Sequence, residues 1–256
     1  PKGADVVQIC TDRGQDIIGV GRHPDARLRL AGQRFDATGQ DLLFEWEGRA
    51  RQARLELIGG FQAENVLLAS ALVIAAGADP DDVFETLPYL TTVRGRMELA
   101  ATRESGAAVF VDYAHTPDAV ETALKAMRPH VMGRIVVIVG AGGDRDTAKR
   151  PLMGAAAAQN ADLVIVTDDN PRSEDPAAIR AAVMAGAVDA GGSDSITEVG
   201  DRAEAILRGI DMLGAGDALL IAGKGHETGQ VVGDTVLPFD DVEQASVAVA
   251  ALEGWI

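Results

Sequence analysis

The chain has 256 residues, 47% hydrophobic and 24% charged, with 23 basic against 39 acidic side chains and a formal net charge of −16. That length allows one or two domains with real cores, the ordinary apolar fraction excludes an unfolded polar chain, and the acidic excess argues against a broad nucleic-acid-binding face. The single cysteine, Cys10, excludes an internal disulfide framework, and no apolar stretch reaches the ~20 residues that span a bilayer. A cytoplasmic monomer without membrane or nucleic-acid partner is expected.

In chain order, residues 1 to 58 alternate β-prone runs with turn residues. Strands are predicted at Val6 to Cys10, Asp16 to Val20, Leu28 to Leu30, Asp41 to Trp46 and Arg51 to Ile58. After Gly59-Gly60 the alanine- and leucine-rich run Phe61 to Ala76 predicts a helix closed by Gly77. A shorter helix is predicted from Pro80 to Leu87, with Asp79 as its N-cap. From about Val109 the pattern changes to strands alternating with helices, as in a parallel sheet wrapped by helices. Four short apolar runs read as buried strands: Val109 to Val111, Ile135 to Val139, Leu163 to Thr167 and Ala218 to Ala222. Helical stripes fall at Val120, Leu124 and Met127, and at Ala203, Ile206, Ile210 and Leu213. The join between the two regions is expected around Thr91 to Glu98, giving domains at 1–92 and 93–256.

Each of the four strands runs into a polar cluster. These are Asp112-Tyr113-Ala114-His115-Thr116, Gly140 to Asp146, Asp168-Asp169-Asn170-Pro171-Arg172, and Gly223-Lys224-Gly225-His226-Glu227. In an open parallel sheet all strand C-termini share one edge, where helices begin and ligands bind, so the clusters are expected to meet. Their mixture of cations, acids and glycines suits a zwitterion or a nucleotide. Taken singly, each has a plainer reading. Gly140 to Gly143 is also a tight strand-to-helix turn, and Arg145 occupies the sixth position, where the dinucleotide fingerprint needs glycine. Asp169 to Arg172 is also a turn with helix caps, although an arginine beside two acids is placed for carboxylate recognition. His23 and His130 are expected to be solvated. Lys224 resembles a phosphate-binding lysine only superficially, because the Gly-x-x-x-x-Gly-Lys-[Ser/Thr] pattern occurs nowhere in the chain.

Together with Val93-Arg94-Gly95-Arg96-Met97-Glu98 and Lys149-Arg150-Pro151, these clusters resemble the Mur ligase family. Within it they resemble the members that add 2,6-diaminopimelate to UDP-N-acetylmuramoyl-L-alanyl-D-glutamate. The resemblance runs in order from Gly59 to Glu227. It implies an α/β fold: a Rossmann-like C-terminal domain with a mostly parallel sheet, preceded by the C-terminal part of a central ATPase-type domain. It also implies an ATP-dependent amide-forming ligase that works through an acyl phosphate, in peptidoglycan precursor synthesis and hence in cell-wall biogenesis, cell shape and division. The partners it implies are small molecules: ATP, diaminopimelate and the UDP-linked dipeptide. Carried over by motif, Asn65, Arg96, Asp112, Tyr113 and His115 are assigned to ATP, and Arg145, Asp169, Asn170, Pro171, Arg172, Gly223 and Glu227 to diaminopimelate. Arg172 favours diaminopimelate, since lysine-adding members replace that arginine. The phosphate loop and the Mg2+ ligands of the family are expected upstream of Pro1. The opening Pro-Lys-Gly, without methionine, accordingly reads as part of a longer protein, with no catalytic residue or metal ligand of its own and inactive alone. A lysine-adding ligase and an isolated Rossmann-like nucleotide-binding module remain as alternatives.

Overall fold

The computed structural model describes residues 3–255, which divide into two compact units, the first ending at Thr91 and the second beginning at Thr92.

The first unit opens with helix α1 (Ala4–Asp12), followed by strands β1 (Val20–Gly21), β2 (Leu28–Asp36), β3 (Gly39–Trp46) and β4 (Arg49–Leu55). They form one sheet in that order, β1 parallel to β2 and the rest antiparallel. Alternation along β3 sends Gln40, Leu42, Phe44 and Trp46 inward. There they meet helix α2 (Phe61–Ala75) through Ala63, Val66, Leu67 and Ala71, and helix α3 (Pro80–Glu85) through Phe84. Buried Gln40 donates from Nε2 to Leu57 O at 3.1 Å and Gly59 O at 2.9 Å, tying the segment between β4 and α2 to the sheet. Asp79 caps α3 by accepting from Asp81 N–H at 2.8 Å, as expected. The helix stops at Glu85, and a 3-10 turn covers Leu87–Tyr89; Pro88 has no N–H to continue the i to i−4 bonding of the helix.

One strand expectation in this unit fails and three others change their bounds. Val6 to Cys10 lies inside α1, whose residues include none that is buried. With no neighbouring strand to pair, i to i−4 bonds such as Val7 N–H to Gly3 O decide its conformation over the β-preference of Val6, Val7 and Ile9. From Asp16 to Val20 only Val20 pairs, and Leu28 to Leu30 is the start of a nine-residue strand that continues through a bulge between Leu30 and Gly32. The last predicted strand begins earlier, at Arg49, and ends at Leu55 rather than Ile58.

The second unit contains β5 (Glu98–Thr102), β6 (Ala108–Asp112), α4 (Pro117–Met127), β7 (Ile135–Val139), α5 (Lys149–Asn160), β8 (Leu163–Val166), α6 (Pro176–Gly191), β9 (Ile196–Glu198), α7 (Arg202–Asp211), β10 (Ala218–Ala222), β11 (Gly229–Val232), β12 (Thr235–Pro238) and α8 (Asp241–Leu252). Its main sheet has the order β5-β6-β10-β7-β8-β9, parallel except for the edge strand β5. This is the expected Rossmann-like α/β arrangement. Every residue of β7 and β10 is buried, as strands covered on both faces require. One face, carrying Val109, Val111, Val136, Ile138, Leu219 and Ile221, packs on α7 and α8 through Ile206, Ile210, Ala245 and Val249. His130, expected in solvent, is only 4% exposed, in the 3-10 turn Arg128–His130 that follows α4. The hairpin of β11 and β12 stands outside the main sheet.

Candidate functional site

The four polar clusters follow β6, β7, β8 and β10, which are adjacent and parallel, so they emerge on one edge of the second unit. Side-chain and backbone bonds join them. Gly143 N–H donates to Asn170 O at 2.8 Å, Gly223 N–H to Asp112 O at 3.1 Å, and Lys149 Nζ to His115 O at 2.9 Å. Glycine is required where the loops touch. A Cβ on Gly143 would stand 1.9 Å from Pro171 O, and one on Gly223, at φ +118°, would stand 2.7 Å from Asp169 Oδ2.

Arg172 sits in the left-handed region at φ +54°, an unfavourable place for a side chain with a Cβ. Backbone pairing with the hairpin holds it there: its N–H donates to Val231 O at 3.0 Å and its carbonyl accepts from Gly233 N–H at 2.7 Å. Asp144 and Met97, at φ +53° and +48°, lie in neighbouring loops, so strained backbone is concentrated on this edge. The acids before Arg172 do not pair with it. Asp168 is bound to Arg180 at 2.5 Å, and Asp169 faces Lys224. Instead Arg172 Nη1 donates to Gly143 O at 2.8 Å. Arg145 is exposed and donates to Asp144 O at 3.1 Å. Both arginines pass Gly142, whose Cβ would lie 2.8 Å from Arg172 Nη1 and 3.9 Å from Arg145 Cγ. Neither has an ion-pair partner among the described residues.

Beside this cationic half lies an acidic one. Asp169 and Asn170 are buried and Glu227 is half-buried. Asn170 Nδ2 donates to Glu227 Oε2 at 2.9 Å, so the third and fourth clusters meet directly. Pro171 is buried, and its carbonyl accepts from Glu174 N–H at 3.1 Å. Burial pushes the Asp169 carboxyl above the usual carboxylate range, with Arg202 and Lys224 opposing the shift. A carboxyl with a raised folded-state pKa contributes stability that is present below its unfolded value and lost as pH rises through the folded one. Asp169→Asn is therefore expected to raise the stability of this unit at pH 7 while weakening any cationic ligand, a trade-off common at sites. Thermal unfolding at pH 4 and pH 7 checks this; a variant less stable than wild type at pH 7 would refute it.

Arg96, Asp112, Tyr113 and His115 form a second group on the same unit. The Arg96 guanidinium lies 4.9 Å from the Tyr113 ring centre, and the His115 and His226 rings lie 4.4 and 5.0 Å from it. Asp112 Oδ2 accepts from Met97 N–H at 2.7 Å, and burial raises its carboxyl against that bond. Asn65 belongs to the first unit. It is exposed on α2, where its Nδ2 donates to Gln62 Oε1 at 3.3 Å, and lines a cavity of about 550 Å3 with Leu57, Val66, Val73, Leu87 and Leu90.

Sequence reasoning missed the hairpin and the residues that brace this edge. Gly233-Asp234 between Val231-Val232 and Thr235-Val236 was the available hairpin signal. It did not detect the buried pair Arg202–Asp241, bound at 2.7 Å, or the pair Arg150–Glu174 at 2.8 Å. Neither has a local sequence signature.

The Mur ligase, glutamate ligase domain family matches residues 95–225, more than half of the chain. The UDP-N-acetylmuramoyl-L-alanyl-D-glutamate–2,6-diaminopimelate ligase of Bradyrhizobium diazoefficiens is 49% identical over 251 residues, covering 97% of this chain and 50% of its own length. The protein of the same name from Caulobacter vibrioides is 46% identical, covering 98% of this chain and 49% of its own. A solved structure of a ligase with that name superposes with a TM-score of 0.75 at 33% identity, over 98% of this chain and 52% of that one. The chain thus spans about half the length of the curated relatives it matches. With the matched segment covering β5 to β10 and, of the four loops of the sheet edge, all but His226 and Glu227, the chain belongs to the Mur ligase family.

Proposed function

We propose that the protein carrying this chain adds meso-diaminopimelate to UDP-N-acetylmuramoyl-L-alanyl-D-glutamate with consumption of ATP, in the cytoplasmic assembly of peptidoglycan precursors. The observation that carries this reading is the division of one sheet edge into two halves. Neither Arg145 nor Arg172 forms an ion pair with a described acid, and Asp169 and Glu227 lie in the adjoining loops. An amino acid with a carboxylate and an ammonium group at each end matches both halves. In this reading Asn170, Pro171 and Gly223 shape the floor of the amino-acid site.

The glutamyl carboxylate takes the γ-phosphoryl group of ATP, releasing ADP, and the diaminopimelate amine then displaces phosphate to form the amide. Arg96, Asp112, Tyr113 and His115 are assigned to the ATP ribose and phosphates, and Asn65, beside an apolar cavity of ligand-binding size, to the adenine. Magnesium would offset charge on the transferring phosphoryl group. Among the described residues no group of three His, Cys, Asp or Glu side chains is placed to hold it, so no residue here is assigned to it. The share of this chain is to orient the attacking amine, a proximity effect. On this reading residues 1–92 are the end of a central ATP-binding domain and 93–256 the amino-acid-binding domain, and the chain alone does not turn over ATP.

Calorimetric titration of the chain with meso-diaminopimelate, lysine and NAD tests the assignment. Saturable binding of diaminopimelate, with lysine much weaker and no heat from NAD, is expected. Equal binding of lysine would point to a lysine-adding ligase. NAD binding without diaminopimelate binding would point to a nucleotide module.

A further inference from the structure

Lys224 is a buried cation at the centre of the sheet edge, and its side chain is 0% exposed. An ammonium withdrawn from water needs charge-assisted hydrogen bonds to offset its lost hydration. Nζ lies 3.1 Å from Asn170 Oδ1, 3.4 Å from Glu227 Oε2 and 4.0 Å from Asp169 Oδ1. Asn170 is committed on both sides of its amide. Oδ1 also accepts from Val231 N–H at 2.9 Å, and Nδ2 donates to Glu227 Oε2 at 2.9 Å. Two donors on Oδ1 decide which way the amide points, since the reverse orientation would set an NH2 group against an ammonium and a backbone N–H. Glu227 Oε2 therefore receives Asn170 and Lys224, while Oε1 takes no hydrogen bond from the described residues.

The charges around Asp169 are Arg202, Lys224, Glu227 and Asp241. Arg202 and Asp241 form a closed ion pair, with Nε to Oδ1 at 2.8 Å and Nη2 to Oδ2 at 2.7 Å. What remains is two carboxylates against one ammonium, a single unbalanced negative charge. We propose that Lys224 is a positioning residue for the amino-acid site: it locks the Asn170 amide and reduces the charge of the Asp169–Glu227 pair from two to one, so that the edge accepts one ammonium group through Glu227 Oε1. The second amine of the ligand is then left unpaired by these acids and able to react. This inference rests on the amino-acid reading of the site.

The test is titration of the chain and of its Lys224→Met and Lys224→Gln variants with meso-diaminopimelate between pH 5.5 and 9, alongside thermal unfolding. Both variants are expected to bind about 10- to 100-fold more weakly at pH 7, the loss typical of a hydrogen bond to a charged group. Removing the cation raises the pKa of the acids it faces, so the acid limb of the affinity profile should move up by about one to three pH units. Glutamine keeps a donor for Asn170 and should recover part of the affinity but none of the pH shift. Wild-type affinity in both variants, or a loss that follows a lower unfolding midpoint with an unmoved pH profile, would overturn the proposal. Wild-type protein that binds no diaminopimelate would instead refute the amino-acid reading itself. Nitrogen NMR of wild-type Lys224 needs no variant: an Nζ signal of an ammonium throughout this pH range is required, and a neutral amine would overturn the proposal even if both variants failed to fold.

Discussion

Arg172→Ala is expected to collapse the proposed preference for diaminopimelate over lysine. Its guanidinium donates only through Nη1, to Gly143 O at 2.8 Å and Asn170 O at 3.5 Å, and has no ion pair among the described residues, so its remaining donors are available to a ligand carboxylate. Lysine, lacking the distal carboxylate, would leave those donors unsatisfied in a half-buried site. That should disfavour lysine by roughly 2 to 4 kcal/mol, on the order of 30- to 1000-fold in kcat/KM for the ligase activity proposed for the protein that carries this chain. The alanine variant should weaken diaminopimelate and leave lysine nearly unchanged, and Arg172→Lys should recover only part of the loss because an ammonium lacks the planar two-point contact. The left-handed backbone adds a control. Arg172→Gly relieves the strain at φ +54° as well as deleting the side chain, so it should be as unselective as alanine yet more stable. A ratio of kcat/KM values unchanged in Arg172→Ala would mean that Arg172 is a turn residue and that selectivity lies elsewhere.

The largest stability effect is expected at Asp241. The Arg202 and Asp241 side chains are both 0% exposed, and Arg202 Nη2 also donates to Ala222 O at 3.0 Å. This ties the start of α8 to the end of β10. Burial alone would lower the Arg202 pKa, and Asp241, together with Asp169 and Glu227, more than reverses that. Asp241→Ala leaves the guanidinium buried without its counter-charge, at a cost of about 3 to 5 kcal/mol. The double replacement Arg202→Met with Asp241→Leu removes both charges and should restore most of the loss, since a buried pair contributes little beyond what apolar packing would. Urea unfolding of the chain, fitted for the transition of the second unit, measures both values. A single-variant loss under about 1 kcal/mol would show that water reaches Arg202 and that the pair is not dry.

The second unit was largely legible in advance because a parallel sheet buried on both faces demands short, uniformly apolar strands, and Ile135 to Val139 and Ala218 to Ala222 have no other comfortable place. Parallel order then brings the strand C-termini to one edge, so the meeting of the four polar clusters followed from their positions after the strands. The first unit was harder to read. Its strands are held by pairing with neighbours, and the same β-branched residues at Val6, Val7 and Ile9 form a helix where no neighbour is offered.

Sequence alone determined the family, the sheet edge and the residue types gathered there. Tertiary structure decided the partners. Asp168 goes to Arg180, Asp241 to Arg202, and Lys224 to Asn170 and Glu227, pairings that span from 3 to 57 residues of chain once the Asn170 contact with Glu227 is included. No local pattern encodes such choices, because a charged side chain takes whichever opposite charge the packed backbone brings within reach while water is excluded. The left-handed turn at Arg172 is of the same kind. It exists because a hairpin some 60 residues later supplies two backbone hydrogen bonds that outweigh its local strain.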